Sequence, residues 1–228
     1  MVYKKNFFVL IFILWKTLVL GQSKEEMKAQ VLAHKEDVSS LRLIEKIGGN
    51  NPDYEELNAL FKKTSRKVKK SREGKFFKQY LKALANTSAG KKALGLTQFD
   101  PEGMPVSLMD FQGRVVLLHF WASWCHSCLN ELSAYKKVYS KYKDEDFVIL
   151  AVSFDQEIEE WKRAIEKNDL PWVHISDLMG MNNAARHVYG IRALPQNILV
   201  GADGKIIERN IDTVDLDQRV QSALESSH

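Results

Sequence analysis

The apolar run Val115–Trp121, broken only by His119, constrains the fold most, because it leads straight to the only two cysteines, Cys125 and Cys128. A strand of this length without polar alternation is covered on both faces, which places it inside a sheet flanked by helices. The residues after it, Leu129, Leu132, Tyr135, Tyr139 and Tyr142, recur at helical spacing, so Cys125-His126-Ser127-Cys128 falls on a strand-to-helix junction. Two cysteines exclude a multi-disulfide scaffold and a self-contained four-cysteine zinc site.

Position at that junction implies reactivity. The free N–H groups and positive dipole end of a helix favour a thiolate over a thiol at its first cysteine, and a second cysteine one turn later can close a disulfide. This arrangement suits thiol-disulfide exchange, with Cys125 as the exposed attacking sulfur and Cys128 as the buried sulfur that resolves the mixed disulfide. Half of a metal site shared across a dimer, or an inert bridge, are the alternatives left open by spacing alone.

A chain of 228 residues holds one good-sized domain and an added element. From residue 93 onward the pattern predicts a hairpin around Asp100-Pro101-Glu102-Gly103. It then predicts the Val115 strand, the cysteine-led helix, a strand over 147–152 and a helix through Ile158, Trp161 and Ile165. A strand over 172–175, a helix through Ala185 and Val188, a second hairpin at Asp203-Gly204 and a last helix over 214–224 complete it. Alternating strands and helices with a terminal hairpin describe an α/β sheet of mixed direction. Residues 22–92 read as helical: one helix from Lys24 to Ile47, a second after Asp53, and a third with Phe76, Phe77, Tyr80, Leu81 and Leu84 as a single apolar stripe.

Residues 1–21 carry no acid, a Lys4-Lys5 pair and an apolar stretch from Phe7 to Leu20 closed by Gly21, the plan of a secretory signal cut before Gln22. Fourteen residues interrupted by Lys16 fall short of the ~20 needed to span hydrocarbon, so an uncleaved anchor is the lesser alternative. Charge is uneven: residues 62–92 hold twelve Lys/Arg against one acid, Glu73, whereas residues 93–228 carry a net −7. An exported chain has little call for nucleic acid, so the basic block reads as a solvated face, with weak membrane-surface contact through residues 62–82 as the other use.

Several runs carry a resemblance. Phe120-Trp121-Ala122-Ser123-Trp124-Cys125, the approach through Gly113 and Val115-Val116-Leu117-Leu118, Ala193-Leu194-Pro195 and Asp203-Gly204-Lys205-Ile206-Ile207 resemble exported thioredoxin-like thiol-disulfide oxidoreductases of the TlpA/ResA type. The likeness spans roughly residues 93–226. Upstream, Ser71 to Phe77 and Gly90 to Ala93 are weakly similar to the helical preface of envelope members from Bacteroidetes-like bacteria. The resemblance implies a thioredoxin-like α/β fold at 93–228, behind a signal at 1–21 and a helical, basic region at 22–92. It implies Cys125, Cys128, Glu131 and Pro195 as catalytic residues, with Pro195 in a cis peptide and Glu131 taking the proton of Cys128 during resolution. Trp124, His126, Ser127 and Leu194 would meet the substrate. No metal or organic cofactor is implied; the redox group is the Cys125–Cys128 pair. Implied partners are protein disulfides or dithiols and an upstream membrane electron donor, in the periplasm or envelope. A non-catalytic peptide-binding module, docked to a surface by its basic helix, is the competing reading.

Three departures from that pattern matter. His126-Ser127 stands where Gly-Pro or Pro-Pro is usual; a partly cationic imidazole there would stabilise the thiolate and make the disulfide a better oxidant, which leaves reductase and oxidase directions both open. His119 replaces a buried acid of cytosolic thioredoxins and reads as a packed, hydrogen-bonded core residue. Leu132 stands where many relatives have a helix-bending proline. A peroxidase pattern, Pro-x-x-x-Thr/Ser-x-x-Cys, is absent, since Leu118 and Ala122 fill its first two positions.

Overall fold

The structure, a computed structural model, describes residues 22–49 and 51–227; the expected signal at 1–21 lies outside them. The chain divides into two compact units, the first ending at Lys78 and the second beginning at Gln79.

The first unit is helical: α1 (Lys24–Ala33), α2 (Ser39–Gly48), α3 (Tyr54–Lys63), α4 (Arg66–Lys70) and the first turns of α5 (Arg72–Asn86). Each start has a local cause. Ser23 and Glu26 form a capping box on α1, Asp53 accepts from Glu56 N at 2.6 Å on α3, and Ser65 accepts from Val68 N on α4. The single helix expected over Lys24–Ile47 is two helices. Asp37 Oδ1 accepts from Ser39 N at 2.7 Å and Asp37 N donates to His34 O, so a side chain offers the backbone a turn in place of the helical ladder. Val31, Leu41, Ile44, Leu57, Phe61 and Val68 are buried, and the Phe61 and Phe77 rings lie 5.3 Å apart.

The stripe expected on α5 also needs correction. Phe77, Tyr80, Leu81 and Leu84 are buried, but Phe76 is 50% exposed, with the Arg72 guanidinium 5.7 Å over its ring. Phe76 precedes Phe77 by one residue, a 100° rotation that takes it off the stripe. Lys62, Lys63, Arg66, Lys67, Lys70, Arg72, Lys75, Lys78 and Lys82 are exposed.

The second unit is a seven-stranded mixed sheet in the order β2-β1-β5-β4-β3-β6-β7. Its strands are β1 (Thr97–Phe99), β2 (Pro105–Ser107), β3 (Val115–Trp121), β4 (Phe147–Ser153), β5 (Val173–Ser176), β6 (Gln196–Val200) and β7 (Ile206–Arg209). Its helices are α6 (His126–Tyr142), α7 (Ile158–Lys167), α8 (Ala184–Tyr189) and α9 (Leu216–Glu225). The hairpins expected at Asp100–Gly103 and Asp203-Gly204 are present, with Gly103 and Gly204 at φ 84 and 74. Both β3 and β4 are buried along all seven residues. β3 runs parallel to β4 and antiparallel to β6, so Leu118 lies between Leu150 and Ile198. The apolar run is therefore continuous because it has no solvent face, and its end is fixed from both sides. That fixed end carries the cysteines.

Candidate active site

β3 stops at Trp121, and Ala122-Ser123-Trp124 delivers the chain to Cys125, the N-cap of α6. The Cys125 sulfur accepts from Cys128 N at 3.2 Å, so the open end of a 17-residue helix addresses it directly. Cys125 and Cys128 are joined in a disulfide with Cα atoms 5.3 Å apart. Cys125, expected to be exposed, is itself buried at 6% because it caps α6 and packs into the core, and Cys128 is 0% exposed. Ser127 Oγ lies 3.4 Å from the Cys125 sulfur.

Cys125 opens onto a concavity of about 450 Å³ lined by Trp124, His126, Ser127, Met181, Ala193 and Leu194. The four residues expected to meet substrate, Trp124, His126, Ser127 and Leu194, thus share one hollow with the outer cysteine. The Leu194–Pro195 peptide is cis, as expected, at the entry to β6. Trp124 is 56% exposed, and the lining beside the sulfur is mostly apolar. Met181, from the loop between β5 and α8, was not anticipated; it reaches the site through tertiary folding and has no periodicity to reveal it.

Beneath the cysteine turn lies Asp155, a second residue that sequence reasoning missed. Its carboxyl accepts from Ser123 N at 3.0 Å, Ser123 Oγ at 2.6 Å and Ser153 Oγ at 2.6 Å, and the residue is 1% exposed.

Glu131 sits on α6, half-buried; burial pushes its carboxyl above the usual range, and the charge of Asp212 pushes the same way. His119 is fully buried and stacks 4.1 Å from the Tyr135 ring; burial lowers its pKa to about 3, with the charge of His174 adding to the shift. It is a core residue as expected, but not a hydrogen-bonded one: among the described residues neither ring nitrogen has a partner. Among the described residues, no group of three or more His, Cys, Asp or Glu is placed to hold a metal ion.

Comparison with known proteins agrees with this geometry. The AhpC/TSA family profile matches residues 89–209, just over half the chain. The chain belongs to the AhpC/TSA family. Within that family it is similar to the thiol-disulfide oxidoreductase ResA of Bacillus thuringiensis subsp. konkukian, 33% identical over 119 residues that cover 52% of this chain and 67% of the relative. ResA of Halalkalibacterium halodurans is 29% identical across 58% of this chain and 74% of its own. Among solved structures, the thioredoxin domain of a thiol-disulfide oxidoreductase from Bacteroides vulgatus superposes with TM-score 0.57 at 34% identity, covering 60% of this chain and 98% of that domain. A thiol:disulfide interchange protein DsbE from Chlorobium tepidum gives 0.56 at 27% identity, covering 60% and 98%. The expected TlpA/ResA-like recognition, thioredoxin-like fold and thiol-disulfide oxidoreductase class are borne out. The peroxidatic pattern is not matched, because Leu118 and Ala122 stand at its Pro and Thr/Ser positions.

Proposed function

We propose that this chain works in the bacterial envelope as a reductant of protein disulfides, cycling the Cys125–Cys128 pair without an external cofactor. The observation that carries the reading is the junction itself: a disulfide at the start of α6, with its outer sulfur opening onto a mostly apolar hollow bounded by the Leu194–Pro195 loop.

In the reduced protein, the Cys125 thiolate attacks one sulfur of a partner disulfide, forming the Cys125–partner bond and releasing the partner's other sulfur as a thiolate. Cys128, deprotonated with the help of Glu131, then attacks Cys125, frees the partner dithiol and leaves Cys125–Cys128 oxidised. Pro195 and Leu194 orient the partner strand, and Trp124, His126 and Ser127 contact the residues around its disulfide. Each turnover consumes two electrons, so a membrane dithiol donor upstream has to return them.

Export rests on residues 1–21, read as a signal peptide, followed by a helical, basic region at 22–92 and the thioredoxin-like domain at 93–228. No helix among the described residues is long and apolar enough to cross a membrane. The exposed cations of 62–82 would add weak contact with an anionic membrane surface.

The test is insulin reduction by dithiothreitol with wild type and Cys125→Ser. The wild type accelerates the reaction and Cys125→Ser does not; equal rates leave only the peptide-binding alternative.

A further inference from the structure

Two loops that are far apart in sequence both line the hollow at Cys125, through Trp124 and Met181, and one residue, Asp155, holds both. The Asp155 carboxyl takes Ser123 N at 3.0 Å and Ser123 Oγ at 2.6 Å, fixing the turn that presents Trp124 and Cys125. The Asp155 carbonyl accepts from Gly180 N at 3.3 Å, fixing the loop that carries Met181. Asp155 is itself held: its N–H donates to Ser153 Oγ at 2.9 Å while that hydroxyl donates to Asp155 Oδ2 at 2.6 Å. Ser153 ends β4, whose pairing with β3 through Trp121↔Ser153 sets the height of the whole assembly. On the far loop, Gly180 has φ 55, and a Cβ there would meet Gln156 Cγ at 2.8 Å, so the loop lies pressed against the residue next to Asp155.

We propose that Asp155 is a positioning residue: it fixes the separation of the Trp124 and Met181 lips, and so selects for a polypeptide segment with an apolar side chain beside its disulfide. This rests on the oxidoreductase reading above and adds a specificity device to it. Asp155 touches neither sulfur, so its effect acts through the placement of Ser123 and Gly180. A folded protein disulfide has to fit both lips at once, whereas a small disulfide needs only the Cys125 sulfur. Affinity for a large partner depends on how well the two surfaces are preorganised to fit, so a displaced lip weakens binding without touching the sulfur.

The test compares two substrates, insulin and oxidised glutathione, in wild type, Asp155→Asn and Ser123→Ala. Asparagine keeps the shape but puts an NH2 group where one of two hydroxyl donors now meets an oxygen; Ser123→Ala removes one hydroxyl and keeps the backbone bond. For insulin, Asp155→Asn raises KM about tenfold with kcat changed less than twofold, and Ser123→Ala raises it about threefold. For glutathione disulfide, both variants stay within about twofold of wild type. Parallel losses on both substrates, or no loss on insulin, overturn the proposal while leaving the oxidoreductase reading in place. A wild type silent toward both substrates overturns the two together. Should Asp155→Asn fail to fold, Ser123→Ala decides by the same split.

Discussion

The imidazole of His119, on a central sheet strand, stacks on the phenol of Tyr135 at 4.1 Å between ring centroids, with no hydrogen-bond partner on either nitrogen among the described residues. Trp121 and His174 complete the surroundings: His119 and Trp121 are 6.4 Å apart, and Trp121 and His174 5.8 Å. Burial lowers the pKa of His119 to about 3 and that of His174 to about 4. An unfolded histidine titrates near 6.5, so between that value and the folded pKa the unfolded chain binds protons that the folded chain refuses. Stability from these two groups is present above about pH 6.5 and lost as pH falls toward 3–4, by up to about 1.4 kcal/mol per pH unit for each. His119→Phe keeps a flat ring in the stack and removes one titration. Urea unfolding at pH 4, 5 and 6 should give a shallower slope for the variant by about that amount; an identical slope would assign the pH dependence elsewhere.

Glu131 is half-buried with its carboxyl raised by burial and by Asp212. A base has to be deprotonated to accept a proton, so with Glu131 in its proposed role the resolving step should slow as pH falls through this raised value. In Glu131→Gln the acid limb of the rate profile for resolution should flatten, and the rate at neutral pH should drop at least roughly tenfold. A profile unchanged in shape would leave Glu131 as a helix residue only.

The parts of this site that could be read beforehand are those held by local pattern. β3 lacks alternation because both faces are covered, and α6 repeats its buried residues, Leu132, Tyr135, Val138 and Tyr142, at helical spacing. Together they placed Cys125 at a helix start. Asp155 and Met181 gave no such signal: Asp155 is 32 residues from Ser123 and joins it only because β4 pairs with β3. The break between α1 and α2 was hidden for another reason. Asp37 differs little from its charged neighbours in pattern, and its effect is one hydrogen bond to Ser39 N. Phe76 was misplaced because two adjacent aromatics cannot be separated by composition, only by the phase of the stripe that Phe77 shares with Tyr80, Leu81 and Leu84.

His126 is exposed at the first position of α6, beside the Cys125 sulfur that accepts from Cys128 N. An imidazole N–H donor at this position, in place of an apolar proline, would favour the reduced thiolate, so the potential should lie above the roughly −270 mV of thioredoxin. His126→Pro should lower it by about 30 mV, a tenfold change in the exchange equilibrium. Equilibration with glutathione or a dithiol of known potential measures this, and a shift toward the oxidising side would contradict the role given to the imidazole.

The unequal exposure of the two sulfurs makes a sharper demand. Cys128 is fully buried, while Cys125 reaches the hollow between Trp124 and Leu194. On the proposed assignment, removing Cys128 deletes the group that would break the mixed disulfide but leaves the attacking sulfur in place. Reduced Cys128→Ser, mixed with a disulfide-bearing peptide, should therefore accumulate as an adduct one peptide chain heavier, released by dithiothreitol. Cys125→Ser retains a sulfur that solvent does not reach, and should form at least tenfold less adduct in the same time. Mass spectrometry of the intact protein reads both, and equal yields from the two variants would mean that the buried sulfur attacks as readily as the outer one, reversing the assignment.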